Sequence, residues 1–162
     1  MPKSPNSVAH SPLDALDRAI LNALMREGRL TNVELADRVH LSAAACLRRV
    51  QRLEASGIVA GYALLLDPVR AGVPGAAFVS VTLDAQGRAA LDEFERAVER
   101  HDEILECYLV AGSADYMLRV AYRDSADFER IHTDIITRLP GVSRVQSTLA
   151  LRTVKRTTRL PI

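Results

Sequence analysis

The residues best placed to do chemistry are Arg48, Arg49 and Arg52, which follow a run of small side chains, Ser42, Ala43, Ala44 and Ala45. Small residues in a first helical turn let a helix sit deep in a DNA groove, and arginines one turn later reach phosphates or guanine edges. The candidate DNA-contacting set is therefore Ser42, Ala43, Ala44, Arg48, Arg49 and Arg52, with Thr31 and Asn32 at the start of the preceding helix. An arginine-rich face is also ordinary solvated surface, so the pattern takes its meaning from the elements around it.

Other chemistries lack their residues. His10, His40, His101 and His132 are scattered without an HxxxH or HxH pair, and Cys46 and Cys107 fit no metal or thioredoxin-like spacing. Both cysteines fall on apolar faces and are expected to be buried free thiols. No nucleophile–base pair or phosphate loop stands out, so neither enzymatic activity nor a cofactor nor a metal is expected.

Two short helices must position the arginines. Thr31 and Glu34 have capping-box spacing, and Leu35, Ala36 and Val39 supply an apolar face. Leu41 is placed to plug the corner, and Ser42 is a good N-cap for the next helix. That helix is expected to bury Cys46, Leu47, Val50 and Leu53 and to stop at Ser56-Gly57. The turn between them wants a left-handed residue, and His40 occupies it. Upstream, Ser11-Pro12-Leu13-Asp14 reads as a helix start, followed by the stripe Leu13, Leu16, Ile20, Leu21 and Leu24. Three helices with the arginines on the third make a helix-turn-helix.

Ile58 to Leu66 is β-rich and reads as a wing or an extended connector, and residues 67–75 are punctuated by Pro and Gly. The remainder alternates: a strand at 76–83, a helix at 88–101, strands at 104–111 and 115–122, a helix with the stripe Phe128, Ile131, Ile135 and Leu139, and a strand at 142–154. β-α-β-β-α-β is the ferredoxin-like order, with both helices on one face of a four-stranded sheet. Phe78/Ser80/Thr82 and Val79/Val81/Leu83 both read as largely apolar, so the second face needs a lid, and a second copy of the chain is the simplest one. A homodimer through the sheets is expected.

Composition agrees with this division. The 162 residues are 48% hydrophobic and 25% charged with a net charge of +1, ordinary for a globular protein. Residues 1–66 hold 8 basic and 6 acidic side chains, residues 67–154 hold 10 and 14, and the end adds Lys155, Arg156 and Arg159. A mildly basic first part beside an acidic middle fits one DNA-facing module joined to another that faces something else. The first residues form no secretory signal and no apolar run spans a membrane, so a cytoplasmic location is expected. The expected organisation is a flexible arm (1–10), a winged helix-turn-helix (11–62), a connector and linker (63–75), a ferredoxin-like domain (76–154) and a basic tail (155–162).

The segments LDALDRAILNAL (13–24), GRLTNVELADRVHLS (28–42), CLRRVQRLEASGIVAGYALLLDP (46–68), ILECYLVAGSADYMLRV (104–120) and RLPGVSRVQSTLALRTVK (138–155) together resemble the leucine-responsive/asparagine-synthesis regulator (Lrp/AsnC) family of bacterial transcription factors. The resemblance implies an α+β protein, a winged helix-turn-helix followed by a ferredoxin-like regulator-of-amino-acid-metabolism domain. It also implies double-stranded DNA as partner, dimers that assemble to octamers, and an amino-acid effector controlling amino-acid metabolism or transport genes. The effector would lie by the turn between the second and third sheet strands, at Leu109, Val110, Gly112, Ser113, Asp115 and Tyr116, facing Thr148, Leu149 and Ala150. A glycine turn offers backbone N–H groups to a carboxylate, and Asp115 or Glu106 offers negative charge to an ammonium. Some relatives carry prolines where this chain has Ala43 and Ala45, so operator sequence does not carry over. An effector-independent architectural DNA binder is the alternative. A small-molecule-binding module that controls an enzyme is a third reading, disfavoured by the complete helix-turn-helix.

Overall fold

The computed structural model describes residues 13–162, so the expected arm at 1–10, with Ser11 and Pro12, lies outside the described residues. The chain divides into two compact units: the described residues up to Leu64 together with Lys155–Ile162, and Leu65–Val154.

The first unit is three helices, α1 (Ala15–Arg26), α2 (Asn32–Arg38) and α3 (Ala43–Ala55). Its α1 starts later than the sequence suggests. Asp14 is the N-cap and forms a capping box with Asp17, each side chain accepting the other's backbone N–H. Thr31 and Glu34 do the same for α2, and Ser42 caps α3 by accepting from Ala45 N–H. His40 takes the left-handed conformation at φ 56° that the short α2–α3 turn demands. The core is Ile20, Leu21, Ala23, Leu35, Ala36, Val39, Cys46 and Leu53. Leu47, expected inside, is 44% exposed, because the core side of α3 is already filled by Cys46 and Leu53.

Residues 58–66 form no strand, so the β-rich composition yields an irregular, largely exposed extended segment after α3. Val59 N–H closes onto Leu53 C=O, and Tyr62 donates its hydroxyl to Glu54. The final residues return to α1, where the Asn22 side-chain amide donates to the Ile162 carbonyl.

The second unit is β1 (Gly75–Leu83), α4 (Arg88–Val98), β2 (Ile104–Leu109), β3 (Tyr116–Tyr122), α5 (Ser125–Arg130) and β4 (Val142–Leu149). Its antiparallel sheet has the order β2-β3-β1-β4. This is the ferredoxin-like fold. β4 ends at Leu149 rather than near 154, since Ala150 N–H makes its last contact with Ala76 C=O. The helix after β3 is not uniform: α5 continues as a π turn (Ile131–Ile135) and a 3₁₀ turn (Ile136–Arg138). A π turn inserts an extra residue into the helical repeat, and here Ile131, Ile135, Ile136 and Leu139 are all buried.

Cross-strand partners define the two faces. Ala77, Val79, Val81, Leu118, Val120 and Tyr116 point to the helices and pack with Phe94, Val98, Ile131 and Ile136. The other face is mixed rather than largely apolar. It carries Phe78, Met117, Ala121 and Tyr108 beside Ser80, Thr82, Gln146 and an Arg119–Glu106 ion pair of 2.5 Å. At Gly75 the ring of Tyr122 lies where a Cβ would be, so any larger residue there would require that ring to move.

Candidate DNA interface and effector region

On α3 the exposed residues Ala44, Leu47, Arg48 and Gln51 recur at helical spacing and form one outward stripe. A short apolar patch, an unpaired arginine and an amide are the groups that read base edges: a thymine methyl, a guanine and an adenine respectively. Arg48 makes no ion pair among the described residues. Sequence reasoning placed Leu47 in the core and left Gln51 out of the candidate set; the signal that would have found them is their i, i+3, i+4, i+7 spacing with Ala44 and Arg48.

The other two arginines turn towards α1. Arg49 Nη1 lies 2.6 Å from Asp14 Oδ2 and 2.8 Å from Asp17 Oδ1, and Arg52 Nη2 lies 2.5 Å from Asp17 Oδ2. The Asp17 side chain is only 3% exposed, so this is a clasp between α1 and α3 built around a buried carboxylate. Both acids also sit at the positive end of α1. The Asp17 amide first, then the Arg49 guanidinium, hold the Asp14 carboxyl below its usual range. Asn32 is also occupied, donating from Nδ2 to the Ala43 carbonyl at 2.9 Å. Thr31 is engaged with Glu34 in its cap. Ser42, Ala43 and Ala44 remain exposed at the start of α3.

In the second unit the turn between β2 and β3 exposes Gly112 and Ser113, and Gly112 has φ 150°. No intrachain hydrogen bond engages either amide among the described residues, which leaves donors for an anionic group. Asp115 is not free: its carboxylate accepts from Leu83 N–H at 2.8 Å and from the Gln86 side chain at 2.7 Å, closing the end of β1. Tyr116 is a core residue, 1% exposed, with its hydroxyl donated to Glu95. Burial first, then Glu95, raises its phenol pKa.

Thr148, Leu149 and Ala150 do not face this turn within one chain. Register places Leu149 opposite Ala77, whereas Tyr116 at the turn is opposite Val81. Four residues along β1 is about 13 Å, with the two groups on opposite flanks of that strand. Leu109 points instead to the helix side, where it lines an open cleft of about 290 Å³ with Glu95, Val98, Glu99, Cys107 and Tyr116. Burial, followed by the charge of Glu95, pushes the Cys107 thiol up to about 11, so it is a protonated thiol at neutral pH. Among the described residues no cluster of side chains could hold a metal ion. No helix there is long and apolar enough to cross a membrane.

Residues 13–60 match the winged helix-turn-helix DNA-binding family and residues 76–160 match the Lrp/AsnC ligand binding domain. The leucine-responsive regulatory protein of Escherichia coli strain K12 is 39% identical over 150 residues, covering 93% of this chain and 92% of its own. Among solved structures, a transcriptional regulator of Neisseria meningitidis in complex with L-methionine superposes with a TM-score of 0.88 at 39% identity, covering 93% of this chain and 97% of that one. An AsnC family transcriptional regulator from Agrobacterium tumefaciens gives a TM-score of 0.87 at 34% identity, covering 91% and 96%.

Proposed function

The chain belongs to the Lrp/AsnC family of transcriptional regulators, and on that footing we propose that it binds operator DNA through the outward stripe of α3 under control of an amino-acid effector. The observation that carries this reading is the stripe itself: Ala44 and Leu47 give close apolar approach while Arg48 and Gln51 stand free to read bases. DNA binding belongs to residues 11–62 and effector sensing to residues 76–154. Arg48 is the base-reading cation, Arg49 braces the helix, and Arg52 serves the phosphates.

The effector is a free amino acid, a reading supported by the Neisseria meningitidis relative, whose structure is a complex with L-methionine. Its carboxylate would take the amides of Gly112 and Ser113. The facing residues of the site, Thr148 to Ala150, come from a second copy of the chain, since one chain holds them apart from the turn. A homodimer through the open sheet faces, assembling further to an octamer, provides that copy. The genes controlled are those of amino-acid metabolism or transport.

Fluorescence anisotropy on the DNA upstream of the protein's own gene, against a scrambled duplex, tests the reading. The expected result is a preference for the upstream duplex that survives raised salt and is shifted by one amino acid. Arg48→Ala should cost about 1–3 kcal/mol on the preferred duplex and much less on the scrambled one. Equal affinity for both duplexes with no amino-acid response would replace this reading with an architectural DNA binder.

A further inference from the structure

We propose that Asp17, a buried residue of α1, is a positioning residue for DNA contact: it holds Arg52 at the rim of the outward stripe so that the free side of the guanidinium meets a phosphate. The inference rests on the DNA-binding reading above and deepens it. Successive residues of a helix are separated by about 100°. Arg52 therefore lies about 40° from Arg48 on one side and about 60° from Arg49 on the other. It stands at the boundary between the face that reads DNA and the face that packs on α1.

The two arginines of the clasp differ in what they have left to give. Arg49 Nη1 is shared between Asp14 and Asp17, and its side chain is 27% exposed. Arg52 touches Asp17 through Nη2 alone, with its side chain 58% exposed. A guanidinium has five N–H donors in a rigid fork, so one edge can hold a carboxylate while another holds a phosphate. Asp17 itself is 3% exposed, with Arg49 on Oδ1 and Arg52 on Oδ2; without Arg52 that second oxygen would keep only the Asp14 amide at 3.3 Å, and an under-paired buried charge is unfavourable, so the carboxylate holds both cations. Arg49 thus stays as a brace, and Arg52 reaches DNA without leaving Asp17. Asp17 also accepts the Asp14 amide, so the orientation of Arg52 is referred to the first turn of α1.

The test is a salt titration of DNA binding by the full chain on its own upstream duplex, with Arg52→Ala, Arg52→Lys, Asp17→Asn and the Asp17→Asn/Arg52→Ala pair. Arg52→Ala should flatten the salt slope by about 1. Arg52→Lys should flatten it as much, because a compact ammonium drawn onto the buried carboxylate lacks the rigid planar fork that aims a second pair of donors outward. Asp17→Asn should flatten it as well, and adding Arg52→Ala to it should change affinity by less than about twofold. Restoration of the slope by lysine, or additive losses in the pair, would overturn the inference while leaving DNA binding intact. If Asp17→Asn does not fold, the lysine variant decides alone. Failure of the unaltered chain to bind any duplex overturns the DNA reading and this inference together.

Discussion

Individual residues carry the local departures from ordinary geometry. Among the described residues His40 alone, outside glycine, has a positive φ, and it is exposed at the turn between α2 and α3. The strain of a left-handed residue with a Cβ is about 1–2 kcal/mol. His40→Gly should therefore leave stability unchanged or raise it slightly. A β-branched residue fits that region worst, so His40→Val should lower stability by about 1–2 kcal/mol. Urea unfolding of the two variants checks this, and equal loss in both would locate the role of His40 in its side chain instead. At Tyr116 the ring packs 4.4 Å from Phe94 and the hydroxyl lies 2.8 Å from Glu95. Tyr116→Phe keeps the ring and removes one hydrogen bond, so it should cost about 1 kcal/mol.

At the scale of elements, the helix after β3 depends on one acid. Asp127 Oδ1 lies 3.1 Å from Arg123 and 2.9 Å from Arg130, and Asp127 Oδ2 accepts the Arg123 backbone N–H. The Arg123 side chain, then its backbone amide, then Arg130 hold the Asp127 carboxyl well below the usual carboxylate range. A group whose folded pKa is depressed contributes stability that is complete above its unfolded pKa, about 3.9, and lost as pH falls towards the folded value. Thermal midpoints of the native chain and Asp127→Asn should therefore differ above about pH 4.5 and converge on acidification. A gap that stays constant down to low pH would show that the carboxylate charge is not what holds this helix start.

The whole molecule separates its charge between the units. The described helical unit with its returned tail holds 10 basic and 6 acidic side chains, whereas residues 65–154 hold 10 and 14. A net charge near zero therefore conceals a basic DNA-facing unit and an acidic partner to it. In the acidic unit the open sheet face presents Phe78 at 45% exposure and Tyr108 at 55% around the Arg119–Glu106 pair. If two copies pack through this face, Phe78→Arg places a cation beside Arg119 in the interface and should shift the molecule to monomer. Light scattering after gel filtration reads the mass directly; an unchanged mass would exclude this face as the dimer contact.

The sequence by itself determined the helix-turn-helix and the β-α-β-β-α-β order, because caps, apolar stripes and turn residues act over three or four positions. Thr31 with Glu34, Ser42 and the left-handed His40 were legible for that reason. Tertiary structure decided the rest. The pairing of Arg49 and Arg52 with Asp17 joins residues 32 and 35 positions apart, which no local pattern encodes. Leu47 is turned outward because α3 has one core side and Cys46 and Leu53 already fill it. Strand register, a long-range hydrogen-bonding choice, separates Thr148–Ala150 from the β2–β3 turn that family resemblance had set against them. Residue types announce which chemistry is available; only packing decides which side chains remain free to perform it.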